Sequence, residues 1–113
     1  MKIVTEAISR TELKKRSDRI FGGLVKAIVD VRKKIMVVDV DMHADGERIL
    51  LEQGSKQDDV WGINLYPEII GDDFIEFDSM INVRPRLNNF SRNIESKDLQ
   101  NHIITIVNQL VKE

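Results

Sequence analysis

Residues 72–92, DDFIEFDSMINVRPRLNNFSR, constrain the fold of this chain more than any other stretch. Ile75, Phe77, Ile81 and Val83 hold odd positions, with only Ser79 breaking the row. Glu76, Asp78, Asn82 and Arg84 hold even ones, with Phe74 and Met80 as exceptions. Side chains along a strand alternate faces, so the pattern predicts a long strand with one face on a core and one in water. Pro85 lacks the N–H that a ladder needs and stops it. Residues 86–92 then read as a polar loop.

The remaining chain supplies partners for such a strand. Residues 2–8 are apolar and β-branched enough for a first strand. Ser9 opens S-R-T-E, a capping box with Glu12 three residues on, and the helix behind it turns Leu13, Ile20 and Phe21 inward until Gly22 and Gly23 end it. Its Lys14-Lys15-Arg16 run reads as a solvated helix face. Residues 24–31 and 34–41 form a hairpin, Val25, Ala27, Val29 and Val31 sharing one face of the first strand and Met36, Val38 and Val40 one face of the second. A short helix spans 42–53, with Asp45 as N-cap, Ile49 and Leu50 inward and Gly54 as its stop. Residues 60–66 make a strand with Trp61, Ile63 and Leu65 inward. A last helix, capped by Ser96 or Asn93, carries the stripe Leu99, Ile103, Ile106, Val107 and Leu110.

The order β-α-β-β-α-β-β-α with short turns predicts an α+β fold. It is a two-layer domain over residues 1–113, with a mainly antiparallel sheet of four to five strands and three helices on one face. A chain of 113 residues suffices for such a core. It has no cysteine, which excludes disulfides and thiolate metal sites. Without an apolar run near 18 residues or a secretory leader pattern, the expectation is a cytoplasmic protein with no membrane partner. A net charge of −2 argues against wholesale nucleic-acid binding and leaves room for a local basic patch.

If every inward face is right, the opposite faces gather Lys26, Asp30, Asp39, Asp41, Asn64, Glu76, Asp78, Asn82 and Arg84 on an open polar sheet surface. Such a surface is either solvated through cross-strand pairs, a cation or ligand site, or a homo-oligomer contact. Residues 41–52, DMHADGERILLE, match the EF-hand loop at Asp41, Asp45, Gly46 and Glu52, but His43 stands at an oxygen-ligand position and a strand precedes the loop. A looser calcium-like site would use Asp39, Asp41 and Asp45. His43 between two aspartates is the one candidate acid or base, with Asp41 and Asp45 expected to raise its pKa. His102 reads as a packed histidine on the flank of the last helix.

The loop 84–92 is the strongest anion candidate. Arg84, Arg86 and Arg92 offer forked donors, Asn89 and Ser91 add neutral ones, and a helix N-terminus follows. Asn82 and Asp78 border this site, with Asn64 on the neighbouring strand. Phe90 permits stacking on a base. No Walker A, GxGxxG, GxSxG or HExxH pattern occurs.

The stretches H-A-D at 43–45, G-S-K-Q-D-D-V-W-G-I-N-L-Y-P at 54–67 and D-F-I-E-F-D-S-M-I-N-V-R-P at 73–85, with Asn89 and Ser91-Arg92, resemble a family of small prokaryotic single-domain proteins of unknown function. The resemblance covers about residues 25–113 and brings neither an assigned activity nor an assigned cofactor. The residues themselves therefore carry the functional expectation. It is a non-catalytic module binding a phosphate- or carboxylate-bearing ligand, or a polynucleotide segment, at Arg84–Arg92. The alternatives are a divalent cation at Asp39, Asp41 and Asp45, or self-association through the polar face.

Overall fold

The central strand, β3 (Val25–Asp30), carries buried apolar side chains on both faces, Val25, Ala27 and Val29 on one and Ile28 on the other, and the architecture follows from that. The computed structural model describes residues 1–19 and 22–113. Five strands form an antiparallel sheet in the order β1 (Lys2–Val4), β4 (Ile35–Val38), β3, β5 (Val60–Leu65) and β6 (Ile75–Glu76). A separate parallel ribbon pairs β2 (Ile8–Ser9) with β7 (Val111–Lys112). Three helices complete the described residues: α1 (Arg10–Ser17), α2 (His43–Glu52) and α3 (Lys97–Leu110). None is long and apolar enough to cross a membrane.

The α+β class, the antiparallel sheet and the helix order agree with the sequence pattern. Ser9 caps α1 by accepting the Glu12 N–H at 3.0 Å, and Ser96 caps α3 by accepting that of Leu99 at 3.2 Å. Ile20 and Phe21, expected to face the core, lie outside the described residues.

The placement of the helices differs from expectation. Val25, Ala27 and Val29 join Met36, Val38, Trp61 and Ile63 in a core closed by Leu13 of α1 and by Ile103, Ile106, Val107 and Leu110 of α3. Ile28, on the other face of β3, joins Val37, Val60 and Leu50 of α2 in a second core. Helices therefore cover both faces of the sheet, instead of three covering one. The reason is apolar residues on the nominally polar face. Each Val, Ile or Leu fully removed from water stabilises the fold by about 1.5–3 kcal/mol, so Ile28 and Val37 recruit a cover. Gly46 makes it close-fitting, because a Cβ there would lie 2.0 Å from Ile28 Cδ1.

Two further expectations are corrected. Val40 does not share a face with Met36 and Val38 but packs in the second core with Val37. Asp39 between them has φ 65°, a left-handed turn that ends β4 and reverses the alternation. The long strand over 72–84 is only the two-residue β6; 3-10 turns at Asp72–Phe74 and Met80–Asn82 flank it, and another follows at Pro85–Leu87. Beyond β6 the Asn82 side chain takes over the edge of β5. Its Oδ1 accepts the Gly62 N–H at 2.8 Å and its Nδ2 donates to the Gly62 carbonyl at 2.9 Å. The polar sheet face is accordingly only partly open: Asp30, Asp39, Asn64, Asn82 and Arg84 are buried, while Asp41 and Glu76 are exposed.

Candidate anion-binding site

The three arginines of the loop point to different partners. Arg84 is buried, donates from Nη2 to Glu47 Oε2 of α2 at 3.0 Å, and stacks 4.9 Å from the centre of the Trp61 ring. Burial holds its pKa below the ordinary guanidinium value, against the opposing pull of Glu47. Arg86 pairs with Asp58, and Arg92 donates from Nε to Asp78 Oδ1 at 2.7 Å. The loop therefore does not converge on one anion.

The neutral residues of the loop hold its own backbone. Asn89 donates from Nδ2 to the carbonyls of Asn82 and Asn93, each at 2.7 Å, and accepts the Glu95 N–H at 2.9 Å. Ser91 donates to Glu95, and Glu95 also accepts the Phe90 N–H. Asn82 ties the loop to β5 and to the Arg92 carbonyl. The sequence could not assign these roles, because an asparagine that binds a ligand and one that pins a backbone look alike.

Arg92 nevertheless reaches a site. It lines a cleft of about 160 Å³ with Lys26 of β3, Met42, His43 and Ala44 at the start of α2, and Ser79, Met80 and Ile81. Met42 is the N-cap of α2, and among the described residues no side chain caps that end of the helix. Two cationic side chains and an uncapped first turn thus share one opening, an arrangement that favours negative charge. Lys26, Asn64 and Glu76 lie in register across β3, β5 and β6 beside it. Asn64 Nδ2 donates to Glu76 Oε1 at 2.8 Å, and Tyr66 donates its hydroxyl to the same oxygen at 3.0 Å. The buried Asn64 Oδ1 accepts no hydrogen bond of ordinary geometry among the described residues.

His43 sits at the inner wall of the cleft. Its Nε2 lies 2.8 Å from the Ile63 carbonyl oxygen, which can only accept, so Nε2 carries the hydrogen. Gly62 makes room for it: a Cβ there would fall 3.2 Å from His43 Cδ2 and 2.6 Å from Ser79 Cβ. Burial pushes the His43 pKa down and Lys26 adds to this, against the opposing pull of the Ile63 carbonyl, Asn64 and Asp78. The expected rise caused by Asp41 and Asp45 does not occur. His102 instead donates from Nε2 to the Val31 carbonyl at 2.9 Å, on the exposed side of α3.

Asp39, Asp41 and Asp45 line a shallow depression together with Arg19 and Arg48. Asp39 gives Oδ2 to Arg16 and Oδ1 to Arg19, each at 2.8 Å. Burial opposes its charged form, yet the two guanidinium groups prevail and hold its carboxyl below the ordinary range. Among the described residues no three His, Cys, Asp or Glu side chains are grouped to hold a metal ion. Gly46, the matched EF-hand glycine, lies inside α2 against Ile28.

A larger cavity of about 610 Å³ lies between α3 and residues 70–77. Its one arginine, Arg10, is already committed, stacking 4.2 Å from the Phe74 ring centre and donating to the Pro67 carbonyl at 3.0 Å.

No curated protein and no solved structure matches the chain. One family model does, described as a protein of unknown function and covering residues 2–110. The chain belongs to that family, DUF5674.

Proposed function

We propose that this protein is a binding module for a small anion, a phosphate or carboxylate group, held in the cleft of Lys26, His43, Ser79 and Arg92. One observation carries the reading: two cationic side chains line the same small opening as the uncapped first turn of α2. Each alone is common on protein surfaces. Together they bring an arginine, a lysine and the first turn of a helix to the lining of one cleft of phosphate size. Asp78 holds Arg92 at the rim, and an arriving anion competes for the same guanidinium.

The test is a thermal-shift screen of inorganic phosphate, small carboxylates, nucleotides and calcium. A ligand at about 100 times its Kd adds about 2.7 kcal/mol, which raises the melt of a domain this size by about ten degrees. Phosphate or a carboxylate raises it in the wild type and not in Arg92→Ala. A shift with calcium alone, or an anion shift unchanged in Arg92→Ala, contradicts the reading.

A further inference from the structure

We propose that His43 Nδ1 accepts a phosphoryl group from a small acyl phosphate bound in this cleft. The inference rests on the anion-site reading above and adds covalent capture to it, one phosphoryl group per chain.

The ring is set up for it. With the hydrogen fixed on Nε2 by the Ile63 carbonyl at 2.8 Å, the lone pair is left on Nδ1. The close approach of Cδ2 to Gly62 puts the Nε2–Cδ2 edge of the ring against β5. Nδ1 is the vertex opposite that edge, so it faces away from the sheet. Burial favours the neutral ring, which keeps the lone pair available near neutral pH.

The surroundings suit the other reactant. Lys26 and Arg92 line the cleft where the phosphoryl oxygens would sit, and charge-assisted donors there offset the negative charge of the group. Met42 and Met80, 61% and 65% exposed, give the cleft an apolar rim for a short acyl chain.

The step balances as follows. The Nδ1 lone pair forms the P–N bond while the bond between phosphorus and the acyl oxygen breaks. The carboxylate leaves with that electron pair. The imidazole becomes a phosphoimidazolium whose Nε2–H remains on the Ile63 carbonyl. Asn64 and Asp78 both favour positive charge on this ring, the charge that the product carries.

The full chain is incubated with acetyl phosphate and followed by intact mass, phosphorus NMR and fragmentation. The expected result is one acid-labile phosphoryl group on His43 of the wild-type protein, formed about tenfold more slowly in Arg92→Ala, a loss of about 1.4 kcal/mol. His43→Gln takes no label. Locating the label on the wild-type chain keeps the test decisive even if that variant does not fold. Phosphate binding without phosphorylation, or a label on another residue, overturns the nucleophile and leaves the anion site standing. Neither binding nor label overturns both.

Discussion

The Asn82 side chain pairs with both polar backbone atoms of Gly62, at 2.8 and 2.9 Å, as a neighbouring strand would. It closes the edge of β5 beyond β6 while leaving residues 77–92 free to fold as turns. The same amide also donates to the Arg92 carbonyl at 3.1 Å, so the edge repair and the position of Arg92 are one device.

Asn82→Ala leaves the Gly62 N–H and carbonyl buried without partners. It should lower stability by about 2–4 kcal/mol in urea unfolding. Asn82→Asp loses both donated bonds and should be destabilised as well. A change under about 0.5 kcal/mol in the alanine variant would show that the edge finds other partners.

Arg84 and Arg92 should separate cleanly. Removing Arg84 leaves Glu47, which is 16% exposed, without its partner; Arg84→Ala should cost about 3 kcal/mol of stability. Arg92 is 57% exposed, so Arg92→Ala should change stability by no more than about 0.5 kcal/mol while weakening phosphate binding. Calorimetric melts and phosphate titrations of both variants check this; an Arg84→Ala protein that is fully stable yet unable to bind would reverse the two roles.

Asp39 predicts an acid-labile contact. Its pKa in the folded chain lies below the ordinary carboxylate range, so the stabilisation by Arg16 and Arg19 is complete above that range. It is lost as pH falls from the ordinary range through the depressed value. Asp39→Asn keeps a residue that tolerates φ 65° and removes the charge. Unfolding free energy of the wild type should therefore fall more steeply with acid than that of Asp39→Asn. Parallel slopes would deny the two ion pairs their role.

Asp78 restrains Arg92, so Asp78→Asn should strengthen phosphate binding several-fold at low salt, where exposed charges act most strongly. Isothermal titration measures this, and weaker binding in the variant would place Asp78 on the side of the ligand.

Much of the fold was legible in the sequence because capping serines, the hairpin and the final helix each carry local signals. Ile28 and Val37 were the signal for a second core. They stood on the face read as polar, where their apolar character demanded α2 as a cover. The alternation of residues 72–84 misled because turns can also bury every second residue when a side chain such as Asn82 supplies the missing ladder. The left-handed Asp39 has no sequence mark beyond its residue type, so Val40 was placed on the wrong face. At the site, Arg92, Asp78 and His43 were each named from sequence, Asp78 beside the Arg84–Arg92 loop and His43 between Asp41 and Asp45. Their meeting with Lys26 and Ser79 depends on α2 crossing the face that parity left open.

The most direct measurement is an amide NMR titration of the full chain with inorganic phosphate. The account predicts saturable shifts clustered at Lys26, His43, Ala44, Ser79 and Arg92, absent in Arg92→Ala. Saturable shifts centred on Arg86 and Asp58, or none anywhere, would contradict it.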